Sequence, residues 1–220
     1  MPVESNQTPE VVRSPAQQSA AETATVMPPL GTDQKLRIGA YTLLASLLRD
    51  APDDALLEYL QDTGRDATAD DDIGQAMLSL AGAAQTADAA QTNEEFHDLF
   101  IGIGRGELVP FGSWYLTGFL MEKPLSLLRT DLQALGFERQ PDVTEPEDHV
   151  AALAEVMAML ISDNVSHQTQ QDFFEKHLSA WMGRFFTDLQ NAGSASFYRA
   201  VGQFGDALIK LESRYFSMRL

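Results

Sequence analysis

Cysteine is absent from the chain, which rules out a disulfide framework, a thiolate nucleophile and thiolate ligation of a metal. Basic residues are scarce: 15 Lys and Arg stand against 32 Asp and Glu, a formal charge of −17. A polyanion repels phosphate backbones and anionic lipid, so nucleic acid is not an expected partner. No run of about 18 apolar residues occurs, and no stable membrane insertion is expected. The first residues lack an apolar h-region and paired arginines, which predicts no export signal and a cytoplasmic protein. Sustained period-two alternation is also missing, which predicts an all-α fold.

What the chain does contain is organised around Thr144-Glu-Pro-Glu-Asp-His149. Thr144 with Glu147 three residues on reads as a capping box, with Pro146 in the first turn. Behind it Val150, Leu153, Met157, Leu160 and Ile161 recur at helical spacing and predict one apolar face. Glu145, Glu147, Asp148 and His149 are more ionisable groups than a helix start needs, the first hint of a site. Acid is also dense from Asp50 to Asp98, with 13 acidic residues against one basic residue, Arg65. Such a surface is either a solvated face or a field that attracts a basic peptide.

Residues 1–31 hold few large apolar groups and are expected to be a disordered tail; residues 32–220 are expected to be one helical domain of nine to ten helices. Leu36, Tyr41, Leu44, Leu47 and Leu48 mark the inner face of the first helix, and a short helix is expected over 54–61. Asn93 is the expected cap of a helix carrying Phe96, Leu99 and Phe100. A glycine-rich loop over 101–112 leads to a short helix at Ser113. Pro124 opens another helix that ends at Gly136, and 137–143 is expected to be a loop. The last helix, from Ser196, carries a seam of Phe197, Val201, Phe204, Leu208, Leu211, Tyr215 and Met218, which predicts packing against other helices.

Three catalytic or ligand-binding patterns are incomplete. Gly102-x-Gly104-x-Gly106 lacks the strand-turn-helix setting of a nucleotide loop. Glu94-x-x-His97 has the spacing of a di-iron ligand pair, yet His149, His167 and His177 each lack a Glu three residues before them, so no metal is expected. Ser113 with His149 and Asp148 lacks a nucleophile elbow. A small hydrolase or nucleotide-binding protein using the Ser113/His149 region is the alternative reading. What remains is a groove with an apolar floor and an acidic rim, suited to a peptide that is part hydrophobic and part arginine-bearing; on the residues alone it stands even with aromatics that are plain core and acids that are plain capping.

Phe96-His-Asp-Leu-Phe-Ile-Gly102, Gly106-Glu-Leu-Val-Pro-Phe-Gly-Ser-Trp-Tyr115, Leu128-Arg129 with Gly136-Phe137, and Glu145-Pro-Glu-Asp-His149 together resemble the TorD/DmsD/NarJ group of redox-enzyme maturation chaperones. The resemblance continues through Trp181, Phe185-Phe186, Phe197-Tyr198 and Leu211-Glu212. It implies an all-helical protein with no enzymatic activity or cofactor of its own. The implied partners are the twin-arginine signal peptide and the apo catalytic subunit of a molybdopterin-dependent oxidoreductase. The Glu-Leu-x-Pro-x-Gly-Ser-Trp-Tyr version is similar to the branch that accompanies formate dehydrogenases. Members of the group occur as a monomer or homodimer. The group's peptide-binding region maps onto Leu99, Phe100, Pro110, Phe111, Ser113, Tyr115, Glu145, Asp148 and His149. Phe111 stands where some members carry tryptophan, and Ala180 where close relatives often show proline.

Overall fold

The helical periodicity after Gly31 is realised as α1 (Thr32–Arg49), α2 (Asp54–Asp66), α3 (Asp72–Thr86), α4 (Ala89–Phe96), α5 (Gly112–Thr117), α6 (Lys123–Ala134), α7 (Val150–Ser162), α8 (His167–Phe173), α9 (Met182–Asn191) and α10 (Phe197–Ser217). The computed structural model describes residues 11–13, 29–102, 105–140 and 145–218. The fold is all-α, with one small sheet of β1 (Val11–Arg13) antiparallel to β2 (Phe137–Arg139) among the described residues. Residues 1–10 and 14–28 of the expected tail lie outside those residues, while Val11–Arg13 within it form a strand. Likewise, part of the expected 137–143 loop is β2. Three residues are too few to show a period of two, which is why neither strand was legible. No helix among the described residues is long and apolar enough to cross a membrane.

The chain groups into two compact units, residues 1–45 with 111–178 and residues 46–110 with 179–220. In the first, α7 is the core helix. Val150, Leu153, Val156, Met157, Leu160 and Ile161 are all buried, and burying side chains of this size contributes roughly 1.5–3 kcal/mol each. Its end is a Schellman closure: Asn164 adopts φ 53°, and Val165 N–H reaches Leu160 O at 3.0 Å. In α6, Leu125, Leu128 and Leu132 turn inward, and Gly136 (φ 77°) redirects the chain into β2. Arg37 of α1, itself buried, donates to Gln170 Oε1 of α8 at 3.1 Å.

The second unit packs α10 against α3, α4 and α9. Gly205 permits the close approach of α9, since a Cβ there would meet Phe186 Cε1 at 2.2 Å. Phe197, Val201, Phe204 and Leu208 of the expected seam are buried, whereas Met218 is exposed and Glu212 and Phe216 are buried in its place. The seam thus rotates off its expected line over the last two turns. Leu36 also departs from expectation: it is exposed, while Tyr41, Leu44, Leu47 and Leu48 are buried. Asp88, not Asn93, caps α4, its side chain accepting from Gln91 N. The helix continues as a π-helical turn over His97–Ile101. Gly102 follows with φ 58°, and Leu108 N–H reaches Leu99 O at 2.8 Å. A second π-helical turn, Phe174–Ser179, follows α8.

Candidate functional site

The turn before α7 is where the expected capping box fails. The helix begins at Val150, with His149 as its cap accepting weakly from Ala151 N–H at 3.4 Å. Thr144 lies outside the described residues. Pro146 opens a turn that closes with His149 N–H on Pro146 O at 3.2 Å, and the chain leaves it extended. That extended backbone forms a single antiparallel bridge, His149 with Phe111, which a helix starting at Glu147 would preclude. Glu147, freed from capping, is buried and accepts Arg129 Nε and Nη2, each at 2.9 Å. Arg139 Nε lies 3.9 Å from its other oxygen. A cleft of about 330 Å³ lined by Arg129, Phe137, Arg139 and Glu147 adjoins this pair.

Asp148 anchors α5. Gly112 N–H donates to Asp148 O at 2.9 Å, and Ser113 N–H donates to Asp148 Oδ2 at 2.6 Å. A six-residue helix is too short to stabilise itself, and a carboxylate at its start satisfies an orphan donor and opposes the positive end of its dipole. The Phe111 ring sits 5.0 Å from that of His149, closing the contact.

From this anchor the structure runs outward. Ser113 is 0% exposed, and its Oγ accepts the Met121 N–H at 3.2 Å. Phe119 N–H donates to Thr117 Oγ1 at 3.2 Å. These bonds fix the connection after Gly118, in which Met121 holds φ 59°, a left-handed conformation that costs a non-glycine residue free energy. The result is an exposed apolar run: Phe119 is 68% and Met121 71% exposed, flanked by exposed Leu116, Leu120 and Leu127.

Of the residues expected at the site, Phe111, Ser113, Asp148 and His149 come together in the first unit. Tyr115 follows one turn along α5 and is half-buried, and Glu145 is exposed. Asp148 (3% exposed) and His149 are buried, placing them beneath the surface rather than on a rim. Leu99, Phe100 and Pro110 belong to the second unit. There Leu99 is fully buried, and Phe100 packs edge-on to Phe96 at 5.0 Å and Tyr198 at 5.5 Å. Ser113, buried and engaged by Met121, suits the holding of a loop better than attack on a carbonyl. Leu116 and Phe119–Met121 escaped the sequence reading. Their signal was an apolar trio between Gly118 and Pro124, in a connection where polar residues are usual.

The profile of the nitrate reductase delta subunit family matches residues 66–187. The chaperone protein TorD of Vibrio cholerae serotype O1 is 32% identical over 127 residues, covering 53% of this chain and 58% of the relative. Against the Vibrio cholerae relatives, then, the chain spans little more than half of their length. TorD of Shewanella loihica is 24% identical over 196 residues, covering 80% of this chain and 90% of the relative. The Tat proofreading chaperone DmsD of Salmonella typhi is 27% identical, covering 59% and 64%. A solved chain from Archaeoglobus fulgidus, described as a redox enzyme maturation protein, shares the fold with TM-score 0.52 at 15% identity, over 86% of this chain and 98% of that one. With more than half of its length matched by the family profile, the chain belongs to the nitrate reductase delta subunit family, the TorD-like group that its motifs resemble.

Proposed function

We propose that this protein is a cytoplasmic chaperone without catalysis of its own. Its client is the apo catalytic subunit of a molybdopterin-dependent oxidoreductase, engaged through a twin-arginine signal peptide before export. The observation that carries this reading is the exposed run Leu116 and Phe119–Met121, held out by the buried Ser113–Asp148 anchor. A fixed apolar surface on a chain of charge −17 complements a segment that is apolar in one part and cationic in another. The names of the relatives, a chaperone protein and a Tat proofreading chaperone, support the same reading. Formate dehydrogenase is the client class that the Glu107-Leu-Val-Pro-Phe-Gly-Ser-Trp-Tyr115 stretch favours. The expected peptide-binding set then divides by role: Phe111, Tyr115 and Glu145 are accessible to a ligand, while Ser113, Asp148 and His149 position what the ligand touches.

Calorimetric titration with a synthetic twin-arginine signal peptide tests the reading. The unaltered chain is expected to bind. The double variant Phe119→Ser, Met121→Ser is expected to bind at least about tenfold more weakly, with helical content and melting unchanged because both side chains face solvent. Absence of binding to the peptide and to the precursor enzyme alike overturns the proposal.

A further inference from the structure

The only basic residue among the first 34, Arg13, is held by groups from three directions. Its Nε donates to Asp163 Oδ2 at 2.7 Å, and Nη2 pairs with the same oxygen. Nη1 donates to the carbonyl of Leu135. The guanidinium carbon lies 4.0 Å from the centroid of the Phe137 ring. Leu135 is the C-cap of α6 and Asp163 that of α7. Two helix C-termini, one offering a carbonyl and the other a carboxylate at the negative end of a dipole, therefore converge on one cation. A planar fork over an aromatic face is what arginine supplies and lysine does not.

The backbone around it is equally specific. Val11, Val12 and Arg13 pair with Arg139, Glu138 and Phe137 of β2, and Val11 is 0% exposed. A three-residue, two-stranded pairing is weak by itself. Tethering in the same chain raises its effective concentration to the millimolar range, so occupancy does not require intrinsically tight contacts.

We infer that the edge of β2, with the socket formed by Leu135, Phe137 and Asp163, is a peptide-binding slot for an extended aliphatic–aliphatic–arginine segment. Val11–Arg13 occupies it in cis, and a client strand of the same chemistry exchanges with it by strand addition. The slot's chemistry stands on Val11–Arg13 alone; that the exchanging strand is a client's rests on the proposed function.

The test uses the full chain and a fluorescein-labelled peptide of this protein's own residues 8–14, read by anisotropy. The variant Val11→Asp, Arg13→Ala empties the slot and is expected to bind the peptide at least tenfold more tightly than the unaltered chain. A peptide with lysine for arginine is expected to lose at least tenfold, as is the emptied chain carrying Asp163→Ala. Should Asp163→Ala lose helical content, the lysine peptide gives the same reading against an intact socket. Equal affinity for emptied and unaltered chains, or indifference to the peptide's arginine, overturns the slot. A twin-arginine signal peptide is expected to displace the label. If it binds elsewhere without displacing it, client exchange falls while the proposed chaperone function stands.

Discussion

Asp148 meets the start of α5 with Oδ2, while Oδ1 is buried with no hydrogen-bond partner among the described residues. Truncating this side chain leaves the Ser113 N–H unsatisfied in a buried setting, which costs about 1–3 kcal/mol. Asp148→Ala is therefore expected to lower unfolding free energy by that amount in a denaturant titration. Asp148→Asn keeps an acceptor for Ser113 and is expected to lose less, under about 1 kcal/mol. If the alanine variant unfolds like the unaltered chain, Asp148 is not the anchor of α5. The surplus of ionisable groups at 145–149 was visible in the sequence, but the burial of Glu147, Asp148 and His149 was not. The partner of Asp148 lies 35 residues away, and a cap supplied across that separation leaves no local spacing to recognise. Glu95 teaches the same lesson. It reads as one more surface acid, yet it accepts the backbone N–H groups of Ser196, Phe197 and Tyr198 at 2.7–3.1 Å.

Between elements, α6 is tied to the π-helical turn after α8 by Asp131, whose Oδ2 lies 2.7 Å from His177 Nε2 and also receives Lys176. Burial, aided by the nearby Lys176 charge, lowers the His177 pKa despite the raising effect of its hydrogen bond to Asp131 and of that carboxylate's charge. Burial pushes the Asp131 carboxyl up, but hydrogen bonds and charge from Lys176 and His177 outweigh it and leave the pKa below the ordinary range. Both folded-state values are depressed, so below each unfolded value the unfolded chain binds the extra proton and stability falls. His177 contributes fully above its unfolded pKa of about 6.5, and Asp131 above about 3.9. The urea midpoint is expected to decline as pH falls from about 6.5 toward 5, and His177→Gln is expected to flatten that decline. An identical slope in the variant would assign it to other groups. Helix existence was legible from apolar spacing in α1, α7 and α10; helix ends were less so. α2 runs to Asp66 rather than 61 because nothing in Asp62-Thr-Gly opposes helix strongly enough to stop it, a glycine costing only about 1 kcal/mol.

At the scale of the whole molecule, periodicity says which faces are buried but not which helices share a core. The division into units interrupted at residues 45, 110 and 178 therefore had no sequence signal. Net charge, by contrast, is fully legible, and it bears on binding by the entire chain. With 32 acids against 15 bases, an arginine-bearing peptide approaches through an attractive field whose range is about 10 Å at 0.1 M salt and about 3 Å at 1 M. The apolar contacts at Leu116–Met121 are insensitive to that screening, so the two contributions separate by salt. Affinity for a twin-arginine peptide is expected to fall by roughly tenfold between low and high salt, chiefly through slower association. A peptide with both arginines replaced by glutamine is expected to bind more weakly and with almost no salt slope. Surface-plasmon measurements across a sodium chloride series resolve the two rates. A slope that survives arginine removal would place the electrostatic contact elsewhere on the peptide, and a flat response for both peptides would leave the apolar run carrying the binding unaided.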